Sequence, residues 1–384
     1  MINNRAYLTR AEQILMDILS IQTCQPEGNE EALVEYLMGL FPPPALCEKI
    51  VHCKNRASLI VRVPGRDPEG ALAFVGHVDT VAYGKLDSWN TDPSKPTVHD
   101  GRIYGRGASD MKGGVAAMTA AALYFLEQGI VPAHDLYFCY TADEESQGMG
   151  AAALAAHGFF RHVDRVIIAE PTKGRISVGE KGALWLRATA EGVQTHGSRP
   201  ELGINAVEML IEFAEAVKGS LDTETNHPLF GHTTAAVTNF HGGIMTNVIP
   251  SEATLELDIR LIPGQSNEAV LARARQIGEA LCQKHTPLTI SLEVLNDRPA
   301  VEVPQDAKLV RDVQAAARQL GLDSTVRGTI FYTDASQIVP PYGMEFLILG
   351  PGDDGLAHQS NEYIEISSLH EIIDLYLLYL ACEM

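Results

Sequence analysis

The sequence predicts an α/β protein: a mainly parallel sheet with helices on both faces, interrupted by an inserted α+β domain. Three observations predict it. From residue 71 to 170, short apolar runs alternate with Ala-rich helical stretches, the β-α-β rhythm of a parallel sheet. Near residue 181 the texture changes to apolar–polar alternation, as in half-exposed antiparallel strands. The first texture returns after residue 295, and 384 residues exceed the ~250–300 at which a single core stops growing. These shifts divide the chain into a discontinuous domain, 1–180 with 295–384, and an insert, 181–294.

Taken in order, residues 6–40 read as a helix with an apolar stripe through Leu8, Ile14, Leu15, Ile18 and Leu19, then a break and a second helix over 30–40. The run Pro42-Pro43-Pro44 ends it. Strands ASLIVRV (57–63) and ALAFVGHVDT (71–80) follow, the latter apolar enough to be buried on both faces. Residues 84–107 are rich in Gly, Pro, Asp and Ser and read as a long functional loop. An Ala-rich helix from Met111 is closed by Gly129. Strand 135–142, helix 149–160 and strand 165–170 complete the rhythm. In the insert, GALWLRATAEG and ATLELDIRLIP read as strands, with a helix between them that Asn205 caps and another helix after. The helix DAKLVRDVQAAARQLG, the strand EFLILG and an amphipathic helix end the chain.

Composition excludes several function classes. Acidic residues outnumber Lys and Arg by 49 to 29, a formal net charge of −20, and phosphate binding needs a basic face, so no nucleic-acid partner is expected. Six cysteines (Cys24, Cys47, Cys53, Cys139, Cys282, Cys382) lack any C-x-x-C spacing, against both a disulfide framework and a cysteine-built zinc site. No apolar run approaches the ~20 residues that cross a bilayer. The N-terminal MINNRAYLTRAEQILMDIL lacks the apolar core of a signal peptide. The expectation is a cytoplasmic protein without a membrane partner.

Position points to chemistry. His77 ends the strand FVGH, Glu144 and Glu145 follow YFCYTA, Glu170 ends RVIIA, and His358 lies after FLILG. Open parallel sheets build sites at the carboxyl ends of their strands, so these side chains converge. Asp110 joins them from the turn GRGASDMKGG. Imidazole and carboxylate suit zinc, cobalt or manganese at a catalytic site. Five ligands (His77, Asp110, Glu145, Glu170 and His358) suit two divalent ions ~3.5–4 Å apart better than one. Asp79 is placed to accept the other imidazole N–H of His77. The blander readings are a buried histidine, a turn aspartate and a solvated acidic loop. Adjacent carboxylates such as Glu144 and Glu145 repel unless a cation offsets them.

The segments GHVDTV, GRGASDMKGG, TADEES, IIAEPT and LAHQSNEY resemble the acetylornithine deacetylase / succinyl-diaminopimelate desuccinylase family, which includes aminoacylases, dipeptidases and carboxypeptidases. The resemblance implies that Asp110 bridges two zinc-type ions, that His77 and Glu170 complete one, and that Glu145 and His358 complete the other. It implies Glu144 as general base. The insert resembles the family's lid or dimerisation domain, which implies a homodimer. There His196 would polarise the scissile carbonyl across the dimer, and Asn247 and Arg260 would hold the substrate carboxylate.

The function implied is hydrolysis of the amide bond of an N-acyl amino acid, an acetylornithine-type substrate first. A dipeptidase or carboxypeptidase acting on short peptides through the same site is the alternative. A non-catalytic metal-binding scaffold is the alternative of another class, against which the presence of Glu144 beside a full ligand set argues.

Overall fold

The strand Asp67–His77 is buried along its apolar half and runs through the middle of the principal sheet. Its neighbours are His134–Thr141 on one side and Val163–Ile168 on the other, both parallel to it, and Glu345–Ile348 continues the parallel order beyond Val163–Ile168. The structure, a computed structural model, describes residues 6–382. Residues 1–5, part of the N-terminal stretch that lacks the apolar core of a signal peptide, lie outside the described residues.

The chain leaves Asp67–His77 through the helix Lys112–Glu127 to the strand on one side, then crosses by Met149–His157 to the strand on the other. His77 therefore stands at the point where strand order reverses, the place at which open α/β sheets build their sites. Phe74 packs against Phe138 with ring centroids 5.3 Å apart, and against Tyr376 of the helix Ile366–Cys382 at 4.9 Å.

Four parallel strands thus form the centre, and antiparallel strands flank them. Arg56–Val63 pairs antiparallel with His134–Thr141, and Leu46–Cys53 pairs antiparallel with it in turn. Leu46–Cys53 escapes sequence reading because Glu48, Lys49 and His52 break its apolar pattern, as an outer strand permits. The expected long loop 84–107 contains a hairpin, Thr97–His99 with Arg102–Tyr104, to which Tyr363–Glu365 adds a third strand. Its turn is Asp100-Gly101, both at positive φ (49° and 72°), the Asp-Gly pair that two-residue hairpins favour.

A second compact unit comprises Glu180–Glu302 and Gly328–Tyr332. Its antiparallel sheet runs in the order Thr234–Gly242, Glu252–Leu261, Gly182–Glu191, Thr289–Arg298. Leu184, Leu186, Ala188 and Ala190 point to one face and bury against Leu210 and Phe213 of Ala206–Gly219 and Ile277 and Leu281 of Asn267–Lys284. Asn205 caps the first helix, its side chain accepting from the N–H of Val207 at 3.1 Å and of Glu208 at 3.4 Å. Residues 295–302 and 328–332 group with this unit, beyond the boundary at 294. The reason is that Thr289–Arg298 ends in the polar sequence LNDR, which masks its continuation as a strand. Among the described residues, no helix is long and apolar enough to cross a membrane.

Candidate metal centre

His77 is 1% exposed. Its Nδ1 lies 3.0 Å from the main-chain oxygen of Asp79, which can only accept, so Nδ1 donates there and Nε2 faces the site. Around that Nε2 stand Asp110 Oδ1 at 3.1 Å, Glu170 Oε1 at 3.7 Å and Glu144 Oε2 at 4.0 Å. Asp110 turns its other oxygen to His358 Nε2 at 3.4 Å, and His358 also meets Glu145 Oε2 at 2.9 Å. All six side chains that the sequence placed here come together.

Among the described residues, two groups have ligand atoms mutually within 4.8 Å: His77, Asp110 and Glu145, and His77, Glu144 and Glu170. His358 reaches the cluster through its pairs with Asp110 and Glu145. Burial pushes the carboxyls of Glu144, Glu145 and Glu170 above the usual range. Burial also opposes a charged His77, yet Glu170, Asp110 and Glu144 hold its pKa well up. Hydrogen bonds with Asp110 and Glu145 raise His358 to about 10. Four carboxylates gathered on two imidazoles make a set whose excess negative charge a cation would offset. Nitrogen and oxygen donors of this kind fit zinc, cobalt or manganese.

The Asp79 carboxylate does not bond the imidazole, as the sequence suggested; Oδ1 is 3.6 Å from Nδ1, beyond hydrogen-bond range. The main-chain oxygen of the same residue takes that place. The carboxylate instead accepts from the N–H of Glu144 at 3.0 Å, the N–H of Glu145 at 3.1 Å and Gln25 Nε2 at 2.8 Å. It fixes the loop that carries both acids.

Sequence reasoning also missed the residues behind this layer. Arg56 pairs with Asp143, which precedes Glu144 at a φ of 68°, and donates to Gln25 Oε1 at 2.7 Å. Lys112 is 2% exposed and donates to the carbonyls of Ile18 and Ile21 at 2.9 and 2.8 Å, tying the Asp110 turn to the end of the first helix. Burial lowers that ammonium to about 8. Glu362, also fully buried, sits beneath the same turn.

His196, Asn247 and Arg260 belong to the second unit. His196 is exposed on the short ladder Thr195–His196 with Val248–Ile249, next to Asn247, whose carbonyl accepts from Gly197 N at 2.7 Å. The Arg260 fork is engaged by Asp258, at 2.8 and 3.1 Å, and its guanidinium carbon lies 5.8 Å from the ring centroid of Trp185 and 5.7 Å from that of Tyr332.

Residues 73–381 match peptidase family M20/M25/M40. The chain belongs to this family. It is 30% identical over 394 residues to a probable succinyl-diaminopimelate desuccinylase of Staphylococcus aureus, covering 95% of each. Its fold is similar to that of an M20 family metallo-carboxypeptidase from Sulfolobus solfataricus (TM-score 0.80, 18% identity, covering 97% of this chain and 99% of that one). It is similar too to a dinuclear metal-binding M20 peptidase of Bacillus subtilis (TM-score 0.72, 15% identity, covering 98% of each). This M20 member is a metal-dependent hydrolase of amide or peptide bonds.

Proposed function

We propose that this M20 member hydrolyses the amide bond of an N-acyl amino acid at a two-metal centre, with Glu144 as general base. The observation that carries the reading is the convergence of His77, Asp110, Glu145, Glu170 and His358 at the switch point of the sheet, with Glu144 among them. His77, Asp110 and Glu170 would hold one ion, and Asp110, Glu145 and His358 the other, zinc first, with cobalt or manganese as alternatives. Ions bound there supply Lewis acidity, which lowers the pKa of water and polarises a carbonyl.

Glu144 takes the proton of the attacking water and returns it to the leaving nitrogen. Asp79 holds the Glu144 main chain at the position that work requires. We assign His196 to the scissile carbonyl and Asn247 and Arg260 to the substrate carboxylate. A guanidinium oriented by Asp258 suits that geometry.

For the acyl group, the name of the S. aureus relative moves N-succinyl-diaminopimelate ahead of N-acetylornithine. The second reading, a dipeptidase or carboxypeptidase, is favoured by the likeness to the Sulfolobus carboxypeptidase. A homodimer through the second unit is supported by its outer strand Thr234–Gly242 and the exposed Val237, Ile244 and Met245. The free thiols of Cys24, Cys47, Cys53, Cys139 and Cys282 support a reducing, cytoplasmic location.

The test is a panel of N-succinyl-diaminopimelate, N-acetylornithine, other N-acyl amino acids and dipeptides, offered to the zinc-loaded protein. Turnover of an N-acyl amino acid far above every dipeptide is expected. Preference for dipeptides transfers the assignment to the second reading.

A further inference from the structure

We propose that Glu362 is the positioning residue that presents Asp110 to the metals, by gathering the N–H groups of the 107–110 turn onto one buried carboxylate. The inference rests on the reading of Asp110 as a ligand. Glu362 is 0% exposed. Its Oε1 accepts from Ser109 N at 2.8 Å and from Asp110 N itself at 2.9 Å. Its Oε2 accepts from Gly107 N at 3.0 Å and from Arg106 Nη1 at 2.6 Å. Four donors thus converge on a group that only accepts.

The anchor is itself fixed. The carbonyl of Glu362 accepts from Gly105 N at 3.1 Å, and the next three residues pair with Arg102–Tyr104. Ile364, two residues on, packs where a side chain on Gly113 would stand. Glu362 also lies four residues after His358, so one short segment supplies a candidate ligand and holds the turn that carries another. Ser109 Oγ adds a second tie between these loops, donating to the Asp353 carbonyl at 2.9 Å.

A carboxylate is required because an amide would turn an NH2 group toward donors. Glu362→Gln leaves an oxygen for either Ser109 and Asp110 or Gly107 and Arg106, and faces the other pair with N–H. Arg106 offsets the charge of Glu362, so the influence on the site is geometric rather than a matter of net charge.

The test is zinc titration of metal-stripped wild type and Glu362→Gln against a competing chelator, with circular dichroism and kinetics on the same samples. The expected result is a variant with the wild-type fold that binds zinc about 10–100-fold more weakly and loses kcat by a similar factor, as groups supporting metal ligands do. KM is expected to change little. If Glu362→Gln does not fold, Glu362→Asp, which keeps the charge facing Arg106 but shortens the reach to the turn, is expected to fold and show the same loss. Wild-type zinc affinity and kcat in a folded variant overturn the proposal, and so does failure of both variants to fold, which makes Glu362 a general stability element. A wild type that binds no zinc instead overturns the proposed function, and this inference with it.

Discussion

Asp110 holds its Oδ1 3.1 Å from the Nε2 of His77. Its Oδ2 faces a second imidazole, His358, at 3.4 Å, so one carboxylate addresses both halves of the cluster. Burial disfavours a charged Asp110, but hydrogen bonds from His358 and His77 outweigh it and hold the carboxyl below its usual range. Asp110→Ala is therefore expected to abolish binding of both metals, whereas Glu170→Gln weakens only one. Metal content per chain after dialysis against zinc checks this. Equal loss in the two variants would contradict the shared role of Asp110.

Asp79 accepts from the N–H groups of Glu144 and Glu145 rather than from the imidazole. Asp79→Asn puts an NH2 group against one of those donors and displaces the loop. The expected result is a fall in kcat of about 10–100-fold. Zinc affinity at the His77 side should change little, because the main-chain oxygen of Asp79 still fixes that ring. Zinc binding lost in step with kcat would return Asp79 to the role of imidazole partner.

Gly114 of the helix Lys112–Glu127 lies against the main chain just before Glu170. A Cβ there would stand 1.9 Å from the carbonyl oxygen of Ala169. Gly114→Ala is expected to cost about 1–3 kcal/mol or more, since backbone must move. Gly219→Ala, with open space around its Cβ position, is the control and should leave the melting temperature nearly unchanged or raised. Thermal unfolding of both variants decides it.

Glu30 is completely buried beside Arg56, at 3.3 Å. Burial pushes its carboxyl up to about 7, Asp79 and Asp143 adding to the rise while a backbone hydrogen bond and Arg56 oppose it. A carboxyl raised in the folded state binds its proton more tightly there than in the unfolded chain. Its contribution to stability is greatest below the ordinary value of 4.5 and is lost as pH climbs toward 7. Relative to wild type, Glu30→Gln is expected to melt higher at about pH 8 than at about pH 5, measured by calorimetry. The same difference at both pH values would contradict the linkage.

The candidate ligands were legible because strand ends announce themselves: an apolar run stops at His77, Glu144 or Glu170, and a parallel sheet brings its strand ends together. Asn205 was legible for a similar local reason, a cap before an apolar helix. Glu362 was not, because its role depends on N–H groups more than 250 positions away that no periodicity connects to it. At Asp79 the position was legible but the partner was not: the carbonyl and the carboxylate of one residue competed for the same imidazole. The hairpin around Asp100-Gly101 lay hidden in a stretch whose Gly, Pro and Ser content read as loop. Arg260 was legible as a candidate for a substrate carboxylate, but its pairing with Asp258, two residues earlier, was not.

The most direct measurement is amide hydrolysis by metal-stripped protein as zinc is added back, in wild type and Glu144→Ala, with bound zinc counted in parallel. The expected result is no activity without metal, recovery that saturates at two zinc ions per chain, as the two-ion reading requires, and a Glu144→Ala variant that binds the same zinc yet stays inactive. Hydrolysis that persists in Glu144→Ala, or activity indifferent to the removal of metal, would contradict a two-metal hydrolase that uses Glu144 as its base.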